Sequence, residues 1–103
     1  MNKNKLEEFI YTEIDNLSAE NNLKIKSIST ADLSSFEKEI NRNELRKLGV
    51  STTLNGSYDS MKNFLRKIDS DYKLLKINNL EYSFPTSRDA LFDFQINLEA
   101  YYK

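Results

Sequence analysis

The stretch Leu91-Phe92-Asp93-Phe94-Gln95-Ile96-Asn97-Leu98-Glu99-Ala100-Tyr101-Tyr102 alternates apolar and polar residues almost without a break. Side chains along a strand point to opposite faces in turn. Phe92, Phe94, Ile96, Leu98, Ala100 and Tyr102 therefore share one face, and Asp93, Gln95, Asn97, Glu99 and Tyr101 share the other. A strand with one apolar and one wet face belongs to an antiparallel sheet covered by helices on one side only.

Upstream, Leu74–Phe84 reads as the neighbouring strand, irregular at Asn78-Asn79 and joined to the last strand across Pro85-Thr86-Ser87-Arg88-Asp89. Before it, Tyr58, Met61, Leu65, Ile68 and Tyr72, with Phe64 alongside, recur at helical spacing. Ser57 stands where an N-cap belongs and Asp59 falls in the first turn, where the helix dipole favours a carboxylate, while Arg66 and Lys67 lie near the other end. Val50, Thr52 and Leu54 alternate with Ser51 and Thr53, which predicts a strand, and Asn55-Gly56 turns it into that helix.

The first third begins with Leu6, Phe9, Ile10, Ile14 and Leu17, spaced as an amphipathic helix with Asn4 and Glu7 placed like a capping pair. Asn21-Asn22 tolerate left-handed backbone, and Leu23, Ile25 and Ile28 then read as an edge-like strand with one slip of phase. Residues 31–48 admit two readings, one of them an extra helix over 34–48. Ser34 with Glu37 as a capping box, Phe36, Ile40 and Leu48 on one face and Gly49 as a stop predict an extra helix; the hydrated runs Glu37-Lys38-Glu39 and Asn41-Arg42-Asn43-Glu44 suit a long polar connection.

Without that extra helix the order is helix, strand, strand, helix, strand, strand. Two αββ units, with a helical layer on a four-stranded antiparallel sheet, bury every apolar stripe and give a two-layer α+β sandwich of ferredoxin-like type. The 103 residues show no break in composition and fit one domain over 1–103, since single cores span roughly 100–150 residues. Hydrophobic residues at 39% and aromatics at 12% suit an ordered core.

Composition removes much chemistry. Fifteen basic and sixteen acidic residues are interspersed, so nothing draws the chain to nucleic acid. The wet face of the last strand, with Asp93 and Glu99, would repel phosphate. Cysteine and histidine are both absent, which excludes thiol nucleophiles, histidine-based triads and the usual transition-metal ligands. Asp69-Ser70-Asp71 opens like a calcium loop, yet Lys73, Leu74 and Leu80 occupy the positions of a ligand, the turn glycine and the bidentate glutamate. The same two aspartates lie in a polar junction after the helix, without the apolar flanks that acid–base work asks for. Gly49 and Gly56 fit neither phosphate-loop nor dinucleotide spacing. Asn16-Leu17-Ser18 and Asn55-Gly56-Ser57 match the glycosylation pattern but read as turn or helix residues in a chain rich in Asn and Ser. No catalytic, metal or cofactor site is expected, and the chain is read as a protein-binding domain and not an enzyme.

One stretch carries a resemblance. Thr53-Leu54-Asn55-Gly56-Ser57-Tyr58-Asp59-Ser60-Met61-Lys62-Asn63-Phe64-Leu65-Arg66-Lys67-Ile68-Asp69 resembles the strand, Gly-x-Tyr, helix pattern of the PilO family, with Phe64-Leu65 two turns into the helix. The similarity continues through Leu75–Phe84 to Leu98-Glu99-Ala100-Tyr101, and Asn22-Leu23-Lys24-Ile25 resembles the start of that family's domain. Its motif residues here are Gly56, Tyr58, Phe64 and Leu65, which would pack on the sheet whatever the function. The resemblance implies a non-catalytic scaffold of type IV pilus assembly, on the extracytoplasmic face of the cell membrane, which is periplasmic where there are two membranes. It implies an anchor upstream of these residues, protein partners such as pilins or other assembly subunits, and dimerisation with itself or a PilN-like protein. The GspM proteins of type II secretion have similar domains. The alternative from another class is a small-molecule-sensing regulatory domain, for which Gly49, Gly56 and Asn55 are the candidates for close ligand approach.

Overall fold

The structure, a computed structural model, describes residues 3–32, 46–72, 75–83, 87 and 90–102. Its elements run α1 (Lys3–Glu20), β1 (Lys24–Asp32), β2 (Arg46–Gly56), α2 (Tyr58–Asp71), β3 (Leu75–Tyr82) and β4 (Phe92–Tyr102). The four strands form one antiparallel sheet in the order β1-β2-β4-β3. β2 and β3 both run against β4 and are joined by α2, so each αββ unit contributes one central and one edge strand. This is the two-layer α+β sandwich of ferredoxin-like type that the element order predicts.

The alternation in the last strand decides the layering. Phe94, Ile96, Leu98 and Ala100 are buried against the helices, together with Leu48, Val50, Thr52 and Leu54 of β2. The helices supply Leu6, Ile10, Ile14 and Leu17 from α1 and Met61, Phe64 and Ile68 from α2. Each of the Val, Leu, Ile, Met and Phe side chains among them contributes about 1.5–3 kcal/mol when fully buried. Thr52 is a polar residue on the buried face of β2, and its hydroxyl donates to the Ser27 carbonyl at 2.9 Å, which removes the penalty of burying it.

Local signals place the joints. Asn22 takes φ 58 between α1 and β1, the left-handed backbone that asparagine tolerates. Ser57 caps α2, its Oγ accepting from the Ser60 N–H at 3.2 Å, with Asp59 in the first turn. The phase slip in β1 is a register shift between Ile25 and Ser27, and the irregularity at Asn78-Asn79 is a shift between Ile77 and Asn79.

Three expectations are corrected. Residues 46–48 of the extra helix are strand, and Gly49 lies within β2 and stops no helix; residues 34–45 of that helix lie outside the described residues. The reason is β4, whose long alternating face pairs residue for residue from Arg46↔Tyr102 to Gly56↔Phe92, and this cross-strand demand overrides the local helical spacing that ends at Leu48. Asn4 lies inside α1 and does not cap it, while Glu7 accepts a hydrogen bond from the Thr30 hydroxyl at 2.6 Å. Asp69 and Asp71 fall in the last turn of α2 instead of beyond it.

Candidate interaction surfaces

The sheet turns its uncovered face to solvent, and cross-strand pairing arranges that face in rows. Ser29, Ser51, Asn97 and Asn79 form one row; Ser27, Thr53, Gln95 and Glu81 form the next. Lys24, Asn55 and Asp93 mark one end. The middle of the face is thus a carpet of short hydroxyl and amide side chains, with Gln95 Nε2 donating to Ser51 Oγ at 3.1 Å. Two shallow depressions interrupt it. One, of about 230 Å³, lies over Gly49, where a missing side chain leaves the rim to Ser29, Ser51, Asn78 and Asn97. The other, of about 380 Å³, lies among Thr53, Glu81, Tyr82, Asp93 and Gln95.

Two clasps pin the ends of this face. Asp93 accepts from Lys26 Nζ and from Asn55 Nδ2, each at 2.8 Å, so one carboxylate ties β1, β2 and β4 together. The Lys26 hydrogen bond, then that of Asn55, holds the Asp93 carboxyl below the usual carboxylate range. Glu99 accepts from the Tyr101 hydroxyl at 2.7 Å, and this bond, followed by one from Asn78, lowers its pKa likewise. On the covered side, the Tyr72 hydroxyl donates to Glu13 at 2.9 Å and bridges the two helices. Burial first, and the Glu13 carboxylate next, push the Tyr72 pKa up to about 12.

The residues of the resemblance sit in the packing layer. Gly56 ends β2 in a buried position where an added Cβ would run into the Leu23 side chain. Phe64 is fully buried, and Tyr58 and Leu65 pack half-buried against the same core. Lys62 Nζ stands 5.6 Å from the Tyr58 ring centroid, a cation–π contact at the start of α2. None of the four reaches the open face. Asp69 and Asp71 are exposed, and Lys67 lies 3.7 Å from Asp71 one turn away, the pattern of a solvated helix end. Asn16 is exposed on α1, and Asn55 is a strand residue held by Asp93. No group of three or more carboxylates that could hold a metal occurs among the described residues.

Sequence reasoning missed the Lys26–Asp93–Asn55 clasp. Lys26 and Asp93 are 67 positions apart, and only the in-register pairing of β2 with β4 brings Asn55 opposite Asp93. A search for polar residues at matched ends of paired strands would have found Asn55 and Asp93, but not Lys26, which sits on a bulge.

The geometry defines a two-layer ferredoxin-like domain with one open polar sheet face and two sheet edges. This arrangement is similar to the crystal structure of the type 4 fimbrial biogenesis protein PilO from Pseudomonas aeruginosa, with a TM-score of 0.75 at 14% identity, over 99% of this chain and 72% of that one. At that identity the likeness is one of fold. No family model and no curated protein matches the sequence. Among the described residues, no helix is long and apolar enough to cross a membrane.

Proposed function

We propose that this chain is a PilO-like, non-catalytic scaffold domain of a type IV pilus assembly or related secretion machine, one domain over 1–103 that works by binding proteins. The observation that carries the reading is the shared fold: 99% of the chain superposes on a pilus biogenesis protein. The resemblance through Gly56, Tyr58, Phe64 and Leu65 runs along the same elements and supports it. On this reading the domain sits on the extracytoplasmic side of a membrane, anchored through segments upstream, and associates with itself, a PilN-like protein or other assembly subunits. Absent histidine and cysteine and the solvated Asp69 and Asp71 favour binding over catalysis.

The test is a binding measurement with a PilN-like domain from the same genome, read by size-exclusion chromatography with light scattering. A stoichiometric complex, or a self-association that exchanges for it, is the expected result. A chain that stays monomeric at high concentration and forms no such complex overturns the proposal.

A further inference from the structure

β1 and β3 are the two edges of the sheet, and no described strand pairs with the outer side of either. They are guarded unequally. β3 carries its bulge in mid-strand, between Ile77 and Asn79, with Lys76 and Glu81 on the open face. Bulges and edge charges discourage strand addition. On β1 the bulge lies at the start, between Ile25 and Ser27, beside Lys24 and Lys26. From Ser27 to Ala31 the strand then runs in regular register against Thr53 to Gly49, without charge, proline or bulge. Ser27, Ser29 and Ala31 are exposed on the open face, and Ile28 and Thr30 are half-buried on the helix side.

Resting on the protein-binding reading above, we infer that this run is an interface strand whose occupant is the same strand of a second copy, paired antiparallel about a twofold axis at Ser29. Self-pairing in that register sets Ile28 opposite Thr30 of the other copy, Ser27 opposite Ala31, and Ser29 opposite itself, with no like charges in contact. β1 begins with Lys24 and Lys26, and antiparallel pairing sends these lysines of the two copies to opposite ends of the seam, so the like charges stay apart. The helix layer agrees. Glu7 is held by Thr30 at 2.6 Å, and Tyr11, one turn further along the same stripe of α1, is 38% exposed. α1 runs against β1 after the tight Asn21–Leu23 connection. Four helical residues rise about 6 Å and two strand residues about 6.6 Å, so Tyr11 stands level with Ile28. Because Ile28 faces Thr30 across the axis, Tyr11 of each copy faces Glu7 of the other, a hydroxyl donor beside a carboxylate acceptor. The product is a closed, isologous dimer with a continuous eight-stranded sheet. Pairing β1 with β3 of another copy would instead meet the mid-strand bulge and leave edges open at both ends.

The chain has no cysteine, so single thiols report the register directly. Residues opposite each other in an antiparallel pair have Cα atoms about 4.5–5.5 Å apart, within disulfide range. Under mild oxidation Ser29→Cys is expected to link to itself. Ser27→Cys and Ala31→Cys are expected to link to each other when mixed, and neither alone. Asn79→Cys, on the opposite edge, is expected to stay monomeric. Ser29→Lys places two ammonium groups face to face and is expected to weaken the dimer at least about tenfold by light scattering, while an equal mixture with Ser29→Asp restores it. Linking at Asn79 but not Ser29, self-linking of Ser27→Cys, or an unchanged dimer in Ser29→Lys overturns the inference. A complex with the PilN-like domain that survives Ser29→Lys in a chain showing no self-association removes the β1 pairing and leaves the scaffold reading standing. Loss of both associations in the unmodified chain removes the scaffold reading and the β1 pairing with it.

Discussion

Phe94, Ile96, Leu98 and Ala100 on one face of β4 are shut away from solvent, whereas Asp93, Gln95, Asn97 and Glu99 on the other keep part of their surface in water. Both sets hang from the same backbone in the same hydrogen-bonded ladder. What differs is the source of stability: on the covered face it is apolar area removed from water, and on the open face it is polar contacts between groups that water would satisfy almost as well. The covered face should therefore be intolerant and the open face permissive, which leaves the latter and the sheet edges available to a partner.

That contrast breaks at different strengths. Phe94→Ala removes a fully buried ring beside Phe92 and should cost about 3–5 kcal/mol in chemical denaturation, a large share of a small domain's stability. A cost below that of any open-face substitution would overturn the layering. Gly56→Ala forces a methyl against the end of the Leu23 side chain, and a repacking cost of about 1–3 kcal/mol is expected by the same assay.

Tyr72→Phe sharpens the contrast at the seam between the helices. The folded-state pKa is raised from 10.0 to about 12, so the protonated phenol is the form that folding favours. Its contribution is fully present below pH 10 and is lost as pH rises toward about 12. The variant should lose about 1 kcal/mol at neutral pH and show a flatter decline of Tm between those two values. An identical alkaline profile in both proteins would rule out the Tyr72–Glu13 bridge as its source.

Asp93→Asn is the mildest change, expected to shift stability less than any of the variants above, because the clasp it weakens is exposed. Its effect should be present at neutral pH and vanish in acid. The folded-state pKa of Asp93 is depressed, so the contribution is present above the ordinary carboxylate value and fades as pH falls through the lowered one. The variant should converge with the parent at low pH.

How far these faces were readable from sequence follows the range of the forces involved. Period-two alternation at 92–102 and helical spacing at 58–72 are local signals, and both elements stand where they point. So do the Ser57 cap, the Asn22 turn and the two bulges, each written in one or two residues. Arg46-Lys47-Leu48-Gly49 misled because Leu48 also completes a helical spacing with Phe36 and Ile40, and only pairing with β4 chooses between the periods. β1 reaches Asp32, past the last apolar residue of its reading, because β2 supplies partners as far as Leu48. The candidate surface was the least legible part. The guard on an edge strand depends on which strand is an edge, and on the outer stripe of a helix that only Glu7 and its hydrogen bond to Thr30 identify.

The order β1-β2-β4-β3 sets a timetable as well as a shape. β4 emerges last of the four strands yet occupies a central place, and it alone links β3 to the β1–β2 pair. While residues 92–102 are still in the ribosome, β2 and β3 each lack a neighbour and the two αββ units have no shared ladder. Closure of the sheet is then a late, long-range event, slow by the measure of its sequence separation. Until it happens, β2 presents a bare inner edge with Leu48, Val50 and Leu54 incompletely covered, so a nascent chain that stalls before Phe92 is the species most prone to aggregate.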